Sequence, residues 1–84
     1  MWKKVSFVRR GNLRTRILLS LNNPNNPTDL AKKLDSHRPT VSKAISELKE
    51  KGLVRRLNPD EKNLSIYGLT DEGKKVAEKI QKMK

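Results

Sequence analysis

The spacing of apolar residues changes at Gly52 and changes back at Thr70. Before Gly52, Val41, Ala44, Ile45 and Leu48 fall at i, i+3, i+4 and i+7, one narrow face of a helix. After it, "LVRRL" (53–57) and "LSIYGL" (64–69) read as two short strands around "NPDEKN", a turn segment of Asn, Pro and Asp. From Thr70 the helical period returns. Thr70 is suited to cap a helix with Asp71 and Glu72 in its first turn, where the helix dipole favours acids, and Val76, Ile80 and Met83 as its apolar line. A chain with this pattern is mainly α with one small β-hairpin before its last helix. Gly52 fits the position just past the end of the preceding helix, where a left-handed backbone is required.

Upstream, Asn12 fits the cap of a helix whose apolar residues are Leu13, Ile17, Leu18 and Leu21. "NNPNNP" (22–27) stops it, because prolines and asparagines favour turns. Thr28 is then expected to cap a short helix that buries Leu30, Ala31 and Leu34. A tight turn at Asp35 and Ser36 leads into a helix from about Arg38 to Lys51. Residues 1–11 are basic, with Trp2, Val5, Phe7 and Val8 interleaved, and fit a short strand or an irregular arm. The expected order is helix, helix, helix, hairpin, helix, in one domain spanning 1–84.

With 84 residues, 33% of them hydrophobic, the chain can bury one small core. Lys and Arg number 20 against 9 acids, a net charge of +11. That balance favours a polyanionic partner, nucleic acid before an anionic membrane surface. There is no cysteine and a single histidine, so disulfides, thiolate metal sites and zinc are not expected, and no cofactor is called for. Nor is an enzyme: the chain has no Gly-rich phosphate loop and no paired carboxylates framed by apolar residues. No apolar run approaches the roughly 20 residues of a membrane span. "MWKKVSFVRRG" lacks the long apolar centre of a secretory signal, so a cytoplasmic, nucleoid-associated protein is expected. Richness in Lys and Glu without cysteine fits a thermophilic source.

Three helices followed by a two-stranded hairpin match the winged helix-turn-helix, with the hairpin as the wing. The run "TDLAKKLDSHRPTVSKAISELKEKGLV", with "IYGLTDEGKKV" downstream, resembles the winged helix-turn-helix of MarR-like and ArsR-like transcriptional regulators, particularly small archaeal ones. The resemblance covers about residues 12–80. It implies a sequence-specific regulator of double-stranded DNA, with the helix at about 38–51 in the major groove and the wing at about 53–69 on the backbone or minor groove. His37 stands where that family usually has a capping Ser or Thr, and Asp35 and Ser36 replace its usual Gly and apolar residue. Aspartate tolerates a left-handed backbone better than most residues, so the turn is expected to survive.

The physics of the second helix of this motif agrees. With Val41, Ala44, Ile45 and Leu48 turned to the core, Pro39, Ser42, Lys43 and Ser46 point away, and His37, Arg38 and Thr40 lie at the open first turn. A helix N-terminus has unsatisfied N–H groups and partial positive charge, which suits phosphate. Arg38 and Lys43 can reach guanine acceptors or phosphates, the hydroxyls are short enough for close entry, and Pro39 offers an apolar surface to a thymine methyl. Thr28, at the start of the preceding helix, belongs to the same DNA-facing set. Arg55, Arg56 and Lys62 are the wing candidates, with Asp60 and Glu61 weakening the field at Lys62. The cations of the first 16 residues, Lys3, Lys4, Arg9, Arg10, Arg14 and Arg16, are further candidates for phosphate. Surplus apolar surface on the last helix suits a homodimer matching a palindromic operator. Two other readings stand beside this one: a nucleic-acid or chromatin binder without sequence preference, and a winged helix used to bind protein. No effector pocket is legible.

Overall fold

The structure, a computed structural model, describes residues 2–83. Its elements are α1 (Trp2–Arg10), α2 (Asn12–Ser20), α3 (Pro27–Lys33), α4 (Arg38–Glu50), β1 (Val54–Arg56), β2 (Tyr67–Leu69) and α5 (Asp71–Lys82). Helices α2 and α3 pack on α4, α1 lies on α2, and α5 closes the core against α1, α2 and β2. The stripe on α4 is turned inward as its spacing requires: Val41, Ala44, Ile45 and Leu48 are all buried. Burying side chains of this kind contributes about 1.5–3 kcal/mol each for the larger ones.

The first element corrects the expectation of a strand or irregular arm over residues 1–11. Val5 and Val8 are one helical turn apart and both are fully buried, so tertiary packing overrides the strand preference of Val and Phe. Arg9 and Arg10 fall in the last turn, where the dipole favours cations. The final carbonyls of α1 are then satisfied by α2. Phe7 O accepts from Arg14 Nη1 at 3.0 Å, and Val8 O accepts from the Thr15 hydroxyl at 3.0 Å. Phe7 is held between two cations, with Arg14 at 4.1 Å and Lys51 at 5.1 Å from its ring centre.

Two caps differ from expectation. Gly11, not Asn12, is the N-cap of α2, and Asn12 is its first residue. At α3 the cap is Asn26, not Thr28: Asn26 Oδ1 accepts from Asp29 N at 2.8 Å, and its Nδ2 donates to Asp29 Oδ2 at 3.0 Å. Pro27 explains the shift, because it has no N–H to lose and its fixed φ suits the first helical position. Thr28 therefore sits half-buried inside the first turn.

Asp35 takes the left-handed conformation (φ 53°) that the turn between α3 and α4 demands. Ser36 N donates to Ala31 O at 2.9 Å, and Arg16 crosses from α2 to the Leu34 carbonyl at 2.8 Å. At the other end of α4, Gly52 has φ 74°. The hairpin is shorter than the apolar runs suggest, three residues per strand, with Val54 opposite Leu69 and Arg56 opposite Tyr67. Asn58 is the reason. Its Oδ1 accepts from Ile66 N at 2.8 Å and its Nδ2 donates to Leu64 O at 2.6 Å, so a side chain takes over where the ladder would continue.

Thr70 caps α5 as expected, accepting from Gly73 N at 3.0 Å, and its hydroxyl donates to Gly52 O at 2.6 Å. One side chain thus ties the end of α4 to the start of α5. The apolar line of α5 is inside only as far as Ile80, whereas Met83 is exposed. Among the described residues, no helix is long and apolar enough to cross a membrane.

Candidate nucleic-acid interface

The core positions α4 so that its polar residues face out. His37, Arg38, Pro39, Thr40, Lys43 and Ser46 are all exposed, and Ser42 is half-buried at the edge of the packed face. His37 occupies the N-cap without a side-chain cap bond, and there is no acid in the first turn of α4. The first-turn N–H groups and the positive end of the dipole are therefore presented to solvent. Ion pairs among the described residues join Lys4 to Glu72 at 2.6 Å and Arg14 to Glu47 at 3.3 Å, and Arg38 and Lys43 take part in neither. Both cations are left free to meet an anion.

Thr28 does not join this face as a cap; the capping bonds belong to the buried Asn26. The three wing candidates divide. Arg55 is exposed on β1 and Lys62 is exposed in the loop. Arg56 is half-buried and turned into the wing: its Nε donates to Asn58 Oδ1 at 3.4 Å and its Nη2 to the Glu61 carbonyl. It shapes the loop that carries Lys62.

The basic residues of the first 16 divide as well. Lys4, Arg14 and Arg16 bind Glu72, Glu47 and the Leu34 carbonyl, while Lys3, Arg9 and Arg10 stay exposed. The helical interval of Val5 and Val8 puts α1 on the domain, but the partners of Lys4, Arg14 and Arg16 are distant along the chain and no local pattern names them. What no local pattern announces is the link between turn and wing. Asn25 N donates to Tyr67 O at 3.1 Å and Tyr67 N to Asn25 O at 2.8 Å, so the α2–α3 loop adds a bridge to the edge of β2.

A helix-turn-helix packed on a third helix, an open second helix with free cations, and a two-stranded hairpin together make a winged helix-turn-helix domain of the MarR-like kind. Its comparisons with known proteins say the same. Residues 2–83 match the family model described as "Methanogenesis regulatory protein FilR1, N-terminal domain", and the chain belongs to that family. It is 33% identical over 64 residues to the HTH-type transcriptional activator ArnR of Sulfolobus acidocaldarius, covering 76% of this chain and 22% of ArnR. The adhesin competence repressor AdcR from Streptococcus pyogenes superposes with a TM-score of 0.77 at 25% identity, over 87% of this chain and 56% of that one. Lactococcus lactis ZitR in its apo form gives 0.79 at 20% identity, over 96% and 64%. The chain thus spans only part of the length of each relative.

Proposed function

We propose that this domain binds double-stranded DNA with base preference, as the DNA-reading part of a transcriptional regulator. In this reading α4 enters the major groove, Arg38, Thr40 and Ser46 meet base edges, and Pro39 lies against a thymine methyl. Ser42 approaches at the margin, Lys43 meets a base or a phosphate, and His37 stands beside the backbone. The wing lies along the duplex with Arg55 and Lys62 toward phosphates. One observation carries the reading: α4 buries Val41, Ala44, Ile45 and Leu48 while leaving Arg38, Thr40, Lys43 and Ser46 exposed around an uncapped N-terminus.

The DNA-bound form is a homodimer, whose two recognition helices match a palindromic site. Trp2 and Met83, 62% and 44% exposed, border one cleft between α1 and the end of α5. A second copy removes that apolar surface from water. Sedimentation of the wild type and of Trp2→Ala tests this, a shift toward monomer in the variant being expected and a wild-type monomer at all concentrations speaking against it. The place of action is the cytoplasm, beside the chromosome.

Base readout is tested by selecting bound fragments from a random DNA pool, then titrating the selected duplex and a random one with wild type and Arg38→Ala. Wild type is expected to prefer the selected duplex, and Arg38→Ala to lose about 1–3 kcal/mol on it and less on the random one. Equal losses on both duplexes would remove Arg38 from base readout. The absence of any selected sequence would favour a binder without sequence preference.

A further inference from the structure

The junction of α1 and α2 forms a second cationic place beside the recognition helix. A shallow cleft of about 290 Å³ runs between them, bordered by Arg10, Gly11 and Arg14 on one side and by Thr40, Lys43 and Glu47 on the other. The charges along it can be assigned one by one. Arg14 directs a bond from each of its three nitrogens inward, with Nε and Nη2 on the Glu47 carboxylate at 3.3 Å and Nη1 on Phe7 O at 3.0 Å. The pair carries no net charge, so Glu47's repulsion of an anion is offset by Arg14 beside it. Arg10 and Lys43 remain, both exposed and in no ion pair, with the exposed Thr40 on the same rim. Gly11 lets the Arg14 side chain lie close over the helix junction, since a Cβ there would lie 3.1 Å from it.

Leu13 and Ala44 also line the cleft, but the two free cations and the hydroxyl on its open rim favour a phosphate oxygen over a base edge. The cleft is continuous with the exposed face of α4 through Thr40 and Lys43, so the phosphate that reaches it is one bordering the groove that α4 enters. We propose that this cleft seats a phosphodiester of the DNA backbone, with Arg10 and Lys43 as its ligands. The inference rests on the DNA-binding reading above. It moves Lys43 from base to backbone and adds α1 to the elements that touch the duplex. Arg10 also borders the three clefts lined variously by Trp2, Ile80 and Met83 around α1. Arg9, its neighbour, shares two of these clefts but does not line the one beside α4. Arg9 is therefore the matched control: same charge, same helix, wrong side.

The experiment measures binding of wild type, Arg10→Ala, Arg10→Lys, Arg9→Ala and Arg10→Ala/Lys43→Ala to a selected duplex and a random duplex over a range of salt, after circular dichroism has shown each to be folded. Arg10→Ala is expected to reduce the slope of log K against log salt by about one on both duplexes, and the double variant by about two. Arg10→Lys keeps the slope, and Arg9→Ala leaves it unchanged. Neutralising one backbone position as a methylphosphonate is expected to abolish the difference between wild type and Arg10→Ala. If Arg10→Ala and Arg9→Ala behave alike while wild type still prefers the selected duplex, the phosphate seat is wrong and the regulator reading stands. If wild type shows no sequence preference but Arg10→Ala still sheds one unit of slope, the seat stands and the regulator reading falls. Failure of wild type to bind either duplex overturns both.

Discussion

His37 holds the N-cap of α4 without a side-chain cap bond. Aspartate there would accept from first-turn N–H groups and complement the dipole, contributing about 1 kcal/mol. His37→Asp is therefore expected to raise the melting temperature by roughly 4–8 °C and to weaken duplex binding, because its charge stands where phosphates approach. Thermal circular dichroism and fluorescence anisotropy measure the two effects, and a gain in both would take the start of α4 off the DNA-facing side. Gly73 is a different case. A Cβ added there would lie 1.9 Å from Leu53 O, and the obstacle is backbone, which cannot rotate away. Gly73→Ala is expected to cost about 3 kcal/mol or more in urea unfolding, at the upper end of overpacking effects, and a cost under about 1 kcal/mol would mean that α5 lifts off easily. The sequence discloses the Thr70 cap, because acids follow it at once, but Gly73 looks there like any helical glycine. Its close neighbour Leu53 is distant along the chain, and no local pattern encodes the approach. Thr28 illustrates a different limit: a good capping residue loses its place when a proline just before it is the better first residue of a helix.

Among the elements, α4 was the most legible and α1 the least. Val41, Ala44, Ile45 and Leu48 repeat over two helical turns and admit one reading, whereas Val5, Phe7 and Val8 offer both an alternation and a helical interval in a short basic segment. The contacts decide between them: Arg14 and Thr15, from the next helix, finish the hydrogen bonds of α1. The wing was legible as a hairpin, though not in the division of its arginines, since Arg56 is drawn inward by the Asn58 side chain and the Glu61 carbonyl. Two wing variants should therefore differ. Lys62→Ala is expected to weaken binding about equally on all sequences and to lower the salt slope by about one. Asn58→Ala removes the side chain that holds the loop backbone, so amide exchange is expected to accelerate at Ile66 while the helices of the core stay protected. Unchanged exchange at Ile66 would show that Arg56 suffices to hold the loop.

At the scale of the molecule, 20 cations against 9 acids dominate, and among the described residues Lys4, Arg14, Arg16 and Arg56 are the cations with internal side-chain hydrogen bonds. If about six phosphates are neutralised on binding, raising salt from about 50 to 200 mM is expected to lower affinity on the order of a thousandfold. Anisotropy titrations check this, and a nearly flat dependence would point to a protein partner instead. Composition favours a polyanionic partner, and only together with the helical pattern does it point to nucleic acid; which cations are free to face it needed the fold, because Lys4, Arg14 and Arg16 differ from Arg10 in what lies across from them. The bridge between Asn25 and Tyr67 has its own consequence. It laces the hairpin to the body that carries α4, so in the proposed complex the two would meet a double helix like teeth of one comb. A duplex whose groove is too narrow or too wide for that fixed spacing must bend to fit. In the proposed complex, sequences that resist bending would then be refused even where every touched base is correct.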